Sequence, residues 1–214
     1  MLRVTAPIAF AELHLADAIS EFSARYPTLC VELSVSNHVV DLMEGSVDVA
    51  IRVGRMSDSA LIARRLAPAC RIVCAAPSYL ARSGVPRHPS ELGEHNCLIY
   101  LHEENPMSWQ FQDRGHRLSV SVGGTLQSNS GLVLSQAALA GLGVVRLPSY
   151  IVGEAIRAGR LQPLLLDHVE DDPAMHIVFL PTRQRVAKVR AFVDFLCDRY
   201  GPHPKWDAWR QQPC

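Results

Sequence analysis

What most constrains this chain is a change of hydrophobic period that repeats through its opening quarter. Leu2 to Thr5 reads as a short strand, and Ala6-Pro7 ends it, because Pro7 presets its own φ and pushes Ala6 away from helix. Leu15, Ile19, Phe22 and Tyr26 then recur at helical spacing, the apolar stripe of a helix from about Ala11 to Tyr26 that Pro27 stops. Val31, Leu33 and Val35 alternate with Glu32 and Ser34 as a second strand, and Ser36 or Asn37 can cap a short helix running from His38 to Glu44. Val47, Val49 and Ile51 alternate with Asp48, Ala50 and Arg52 as a third strand, ending at Gly54 where the chain turns without steric penalty. Strand, helix, strand, helix, strand implies a parallel sheet with right-handed crossovers. In open sheets of this kind small ligands bind at the carboxyl ends of strands. Arg52, Val53 and Gly54 lie at such an end, and we take that edge as one wall of a ligand crevice.

Leu61 to Leu66 and Arg71 to Ala76 read as further strands, the second apolar throughout, as a strand covered on both faces would be. Pro77-Ser78 opens a short helix through Ala81, and Ser90-Glu91-Leu92 makes a helical turn. The middle is richer in strand: Cys97 to Tyr100, Trp109 to Phe111, Leu118 to Val122, and Thr125 to Ser128. Asn129 or Ser130 can cap a helix to about Ala140. Val144 to Leu147 is a short buried strand ended by Pro148, and Ser149 is placed to cap the next helix, which Gly159 stops. Ile177 to Leu180 is a strand. Val186, Val189, Val193, Leu196 and Tyr200 then form the cleanest amphipathic helix of the chain, closed by Gly201-Pro202. The switch to a β-richer middle and back predicts two lobes: residues 1–76 with 176–200, and residues 77–175. A tail, 201–214, carries no periodicity; Trp206 and Trp209 either pack it back or leave it disordered.

Composition narrows the function classes. The chain has 214 residues, 48% hydrophobic and 20% charged, enough to bury a core without metal or disulfide staples. It has no apolar run long enough to span a bilayer and no secretory leader pattern at its start. Lys plus Arg and Asp plus Glu both number 21, and a formal charge of zero argues against this chain holding nucleic acid by itself, since such binding rests on a concentrated basic surface. The six cysteines have no Cys-x-x-Cys spacing, and we expect reduced thiols in a cytoplasmic protein, with Cys214 free in the tail.

Chemistry is mostly missing. Gly141-Leu142-Gly143 precedes a strand rather than following one, the wrong order for a dinucleotide loop. There is no phosphate loop and no nucleophile elbow. His102-Glu103-Glu104 lacks the second histidine of a helical zinc motif, and the nine histidines are scattered, so no metal and no cofactor is expected. Asp171-Asp172 beside Pro173 reads as a solvated linker. Three places suit binding instead. Ala6 to Phe10 turns from strand to helix, where free backbone N–H groups attract an anion. Ser36-Asn37-His38 makes a second such corner, whose plain reading is N-capping. Ser128-Asn129-Ser130 and Arg146 to Pro148 come from the middle segment. Arg146 sits in an otherwise apolar strand, where a guanidinium needs either a carboxylate partner or an anionic ligand. Arg52 can face a ligand, a hinge or water.

In this order the chain resembles the effector-binding domain of LysR-type transcriptional regulators. The stretches that carry the resemblance are Leu2-Arg3-Val4-Thr5-Ala6-Pro7, Glu21 to Pro27, Val47 to Gly54, Leu61 to Leu66, Ala76-Pro77-Ser78-Tyr79-Leu80, Ala140 to Pro148 and Val189 to Leu196. The resemblance implies an α/β chain with the two-lobed type 2 periplasmic-binding-protein-like fold, each lobe a mixed sheet flanked by helices. It implies a small effector, an anion among the candidates, held in the cleft between lobes that shift on a hinge. Matching positions are Pro7, Ile8 and Phe10; Ser36 and Asn37; Arg52, Val53 and Gly54; Tyr100 and Leu101; Ser128 and Asn129; Arg146 and Pro148. It further implies a homodimer, tetrameric in the full-length form, pairing through the Ala11–Tyr26 helix. DNA would be bound only through an N-terminal helix-turn-helix domain absent from this chain. The competing readings are a free-standing solute-binding protein and an enzyme of the same fold, for which no acid, base and nucleophile can be assembled.

Overall fold

The computed structural model describes residues 1–38, 42, 47–54, 60–103, 105–169 and 174–210. In chain order its elements begin with β1 (Leu2–Ala6), α1 (Ile8–Phe10), a π-helical segment Ala11–Leu15, α2 (Ala16–Arg25), β2 (Val31–Val35), β3 (Val49–Val53), β4 (Ile62–Pro68) and β5 (Arg71–Ala75). There follow α3 (Pro77–Ser83), a 3-10 turn Pro89–Glu94, β6 (Cys97–Tyr100), β7 (Ser108–Asp113), β8 (His116–Ser121), β9 (Gln127–Ser128), α4 (Gly131–Leu139), β10 (Val144–Pro148) and α5 (Ser149–Arg157). The chain ends with β11 (Gln162–Leu164), a 3-10 turn Leu166–His168, β12 (Ala174–Phe179), α6 (Ala187–Tyr200) and a 3-10 turn Lys205–Asp207. The chain divides into two compact units: Met1–Ala69 with Pro173–Lys205, and Cys70–Asp172 with Trp206–Cys214.

The first unit is built on a mixed sheet of order β2-β1-β3-β12-β4. β1 pairs in parallel with β2 and β3, as the alternating pattern requires, while β12 runs antiparallel to both β3 and β4. The predicted first helix starts earlier than expected, at Ile8, and passes through the π segment, whose last turn closes from Ala16 N–H to Ala11 O. His14 O in that segment accepts the Tyr200 hydroxyl at 2.9 Å, tying it to α6. Of the predicted helix stripe, Leu15 and Phe22 are buried, Ile19 is partly buried and Tyr26, just past the end of α2, is exposed; Phe22 meets Phe192 edge-on with ring centroids 5.0 Å apart. A buried Phe contributes about 1.5–3 kcal/mol by area, and an aromatic pair of this geometry about 0.5–1.5 more. The expected helix from His38 to Glu44 falls mainly outside the described residues.

One strand corrects its sequence reading. The alternation over Val47 to Arg52 predicts one buried face, yet Asp48 and Ala50 are buried as fully as Val49 and Ile51. β3 is the central strand of its sheet, so both of its faces are covered.

The second unit holds a sheet of order β11-β5-β10-β6-β9 and a separate hairpin, β7-β8. Its core gathers Val73, Tyr79, Leu92, Ile99, Trp109, Phe111, Val144 and Leu164. β5 pairs antiparallel with β10 and β11, so the chain enters this unit at Cys70, ahead of the crossing expected at Ala76. Ser130, of the two caps considered, closes α4 by accepting from Val133 N–H at 3.4 Å. α5 begins at Ser149 with Pro148 at the cap position and no side chain closing it, so the expected Ser149 cap is absent. Gly141-Leu142-Gly143 has a packing role. Gly141 takes φ +77 to end α4, and a Cβ on Gly143 would lie 2.1 Å from Asn96 O. The C-terminal segment packs back through its last described turn: Trp206 is buried, with its ring 6.5 Å from that of Tyr150 in a T arrangement.

Cys30, Cys74, Cys97 and Cys197 carry free thiols. Burial pushes the thiols of Cys74 and Cys97 up, Cys97 to about 12, which leaves both as unreactive apolar packing groups. Cys70, in contrast, is disulfide-bonded, against the expectation of reduced cysteines throughout. Cys214, Asp171 and Asp172 lie outside the described residues.

Candidate functional site

In the first unit three sequence-distant segments are knotted together at the ends of β1, β2 and β3. Asn37 Oδ1 accepts the Ile8 N–H at 3.1 Å, so the corner after β2 closes on the turn that starts α1. Ser36 N–H reaches Ala6 O at 3.0 Å, and Ser36 Oγ accepts from His38 N–H at 3.1 Å. His38 O in turn accepts from one terminal nitrogen of Arg52 at 2.8 Å. The other terminal nitrogen of Arg52 is buried and has no hydrogen-bond partner among the described residues. Among the described residues no carboxylate stands within ion-pair reach of Arg52, and burial draws its pKa down from the ordinary arginine value. Pro7, Ser36, Asn37, Val53 and Gly54 are partly exposed around this knot, and Ile8 is open to solvent. Gly54, at φ +137, hands its N–H to Ala174 O at 3.2 Å. Phe10 is fully buried, its ring packed on His14 and Tyr200, which makes it part of the core of this unit.

His176, on β12 opposite Arg52, escaped the sequence reading. Burial lowers its pKa, hydrogen bonds with the backbone at Ala174 and Gly54 act to raise it, and the charge of Arg65 lowers it further. A lone histidine in a strand offers no linear signal; only the register of β12 on β3 places it there.

In the second unit the expected residues meet around a carboxylate that sequence reasoning did not single out. Arg146 Nη1 lies 2.9 Å from Glu103 Oε2, and Arg71 Nε lies 2.8 Å from Glu103 Oε1. Of the two partners weighed for Arg146, a carboxylate is therefore present. Its guanidinium also stands 6.0 Å from the centre of the Phe111 ring. Tyr100 and Ser128 are register partners of β6 and β9, and Leu101 N–H donates to Ser128 O at 2.9 Å. Ser128 Oγ accepts from Ser130 N–H at 3.0 Å. Burial raises the Tyr100 phenol, while the charge of Arg71 lowers it and that of Glu103 raises it. Pro148 is buried opposite Arg71, and Asn129 is exposed. Arg71 and Glu103 join this cluster through tertiary structure alone. A clue existed for Arg71, a charge opening an apolar strand.

Each unit gathers strand-end backbone, short polar side chains and guanidinium groups. Neither cluster joins a nucleophile to a base. Each of the two α/β units is thus built on a mixed five-stranded sheet. The family model described as LysR substrate binding domain matches residues 1–201, and the chain belongs to that family. It is 32% identical over 205 residues to the HTH-type transcriptional regulator DmlR of Escherichia coli K12, covering 95% of this chain and 66% of that protein. It is 31% identical over 188 residues to an uncharacterised HTH-type transcriptional regulator of Haemophilus influenzae, covering 88% of this chain and 65% of the relative. The chain thus spans about two thirds of the length of these relatives. Among solved structures it is similar to the regulatory domain of CrgA, a LysR-type transcriptional regulator from Neisseria meningitidis. There the TM-score is 0.82 at 30% identity, over 92% of this chain and 97% of that one.

Proposed function

We propose that this effector-binding domain senses a small anion and does not turn it over. Arg52 carries the reading. A half-buried guanidinium with one terminal nitrogen on a backbone carbonyl and the other buried without a partner is costly unless an anionic group completes it. Pro7, Ile8, Ser36, Asn37, Val53 and Gly54 would surround the ligand in the first unit. In the second unit Tyr100, Leu101, Ser128, Asn129, Arg146 and Pro148 are the residues we assign to effector binding. An effector that favours one conformation of the domain shifts the population toward it. In the intact protein that shift would pass to a DNA-binding helix-turn-helix part, the feature from which the relatives take their HTH-type names. We place such a regulator in the cytoplasm as a homodimer; no helix among the described residues is long and apolar enough to cross a membrane.

The test is a thermal-shift screen of small carboxylates and aromatic acids, followed by calorimetry on the hits. Saturable stabilisation without product is expected. Arg52→Gln should weaken a hit at least about tenfold, and Arg146→Ala by about 1.5–3 kcal/mol, the scale of a charge-assisted hydrogen bond. Unchanged affinity in Arg52→Gln, with the fold intact by circular dichroism, would remove the anion reading. Consumption of the ligand would replace sensing with catalysis.

A further inference from the structure

We propose that the second unit carries a divalent-metal site of the zinc type, formed by His88, Asp113 and His168. One ligand atom from each residue lies within 4.8 Å of the others, and no other such trio occurs among the described residues. The three come from separate elements. His88 is the residue that opens the 3-10 turn Pro89–Glu94, Asp113 ends β7, and His168 ends the 3-10 turn after β11. Nothing in their linear spacing groups them, which is why the histidines read as scattered.

The Asp113 carboxylate stands between the two imidazoles. Its Oδ2 is 3.7 Å from His88 Nε2, its Oδ1 is 3.7 Å from His168 Nδ1, and the two rings meet edge-on at 5.3 Å. Those separations are too long for hydrogen bonds. Of the two, only that from His88 Nε2 to Asp113 Oδ2 lies between ligand atoms, and it is close to the ~3.3 Å that neighbouring ligands keep around a tetrahedral ion bound at about 2.0–2.1 Å. The outer contacts also suit a metal. His168 Nδ1 lies 2.9 Å from Gln112 O; a carbonyl can only accept, so Nδ1 holds the proton and Nε2 keeps its lone pair. His88 Nδ1 accepts from Ser90 N–H at 3.3 Å and stands 2.8 Å from Ser90 Oγ. Loading a metal on Nε2 moves the proton to Nδ1, where Ser90 Oγ accepts it. Two imidazoles and a carboxylate suit zinc and its borderline neighbours. The side chains are 41%, 35% and 18% exposed for His88, Asp113 and His168, so water can complete the coordination.

Calorimetric titration of Zn²⁺ into the chelator-treated protein at neutral pH tests the site. One equivalent bound at micromolar affinity is expected. Asp113→Asn and His168→Gln should each weaken it at least tenfold, and Cys30→Ser, which removes the exposed thiol, should leave it unchanged. Absence of binding, equal binding by the site variants, or loss of binding in Cys30→Ser would overturn the proposal. A second readout needs no variant: Zn²⁺ should protect His88 and His168 of the native chain from acylation by diethylpyrocarbonate, and unaltered modification counts against the site.

Discussion

Asp48 is the residue whose role changed most between sequence and structure. Its side chain is 6% exposed and collects the Arg3 N–H at 3.0 Å, Lys188 Nζ at 2.6 Å and Arg183 Nη1 at 3.4 Å. It thereby joins β1, the start of β3 and α6. Burial acts to raise its pKa, but the hydrogen bonds from Lys188 and Arg3 N–H, with the charges of Lys188 and Arg183, hold it below the usual aspartate value. A depressed carboxylate stabilises the fold above its unfolded pKa, near 3.9, and loses that contribution as pH falls through the folded value. Asp48→Asn should therefore cost about 1–3 kcal/mol in urea unfolding at neutral pH. The gap to wild type should close below about pH 4; a gap independent of pH would assign the loss to packing rather than charge.

At the scale of elements, the β7-β8 hairpin stores backbone strain. Asp113 pairs with His116, and the two residues between them, Arg114 at φ +48 and Gly115 at φ +81, form a turn of the I′ kind. Gly115 suits such a turn; an arginine at its first position does not, because its Cβ crowds the backbone there. Arg114→Asn should raise stability by about 0.5–1 kcal/mol, seen as a higher denaturation midpoint at unchanged slope. An unchanged midpoint would mean that the arginine side chain compensates through contacts of its own. The two strands of this hairpin were legible in the sequence because hydrophobic period is local. The hairpin's service to His88 and His168 was not, since those residues arrive from other parts of the chain.

At the scale of the whole molecule, the chain passes between its units near Ala69, near Pro173 and again after Lys205, so the C-terminal segment belongs to the second unit. Trp206 is 5% exposed there, and a Cβ on Gly153 would come within 2.0 Å of Trp206 O. The segment is thus an integral part of the unit, and of the two fates considered for it the packed one applies to its described residues. Trp206→Ala should cost about 3 kcal/mol, the scale of a large aromatic lost from a core. A loss below about 0.5 kcal/mol, the range of a surface change, would instead mean that the segment contributes little to stability.

By itself the sequence determined the order and kind of most elements, though not the short edge strand β11, along with the parallel start of the first sheet and the family. Those rest on hydrophobic period, turn residues and their succession, all written locally along the chain. It also marked Ser36, Asn37, Arg52 and Arg146 as places fit for binding. Tertiary structure alone decided which strand is central, so that Asp48 is buried; which carboxylate meets Arg146; and that Arg52 keeps an unpartnered nitrogen. The same holds for the gathering of His88, Asp113 and His168. The physical reason is common to all of these. Burial and charge pairing depend on which segments pack together, and strand order and long-range closure carry no period that a linear pattern can display.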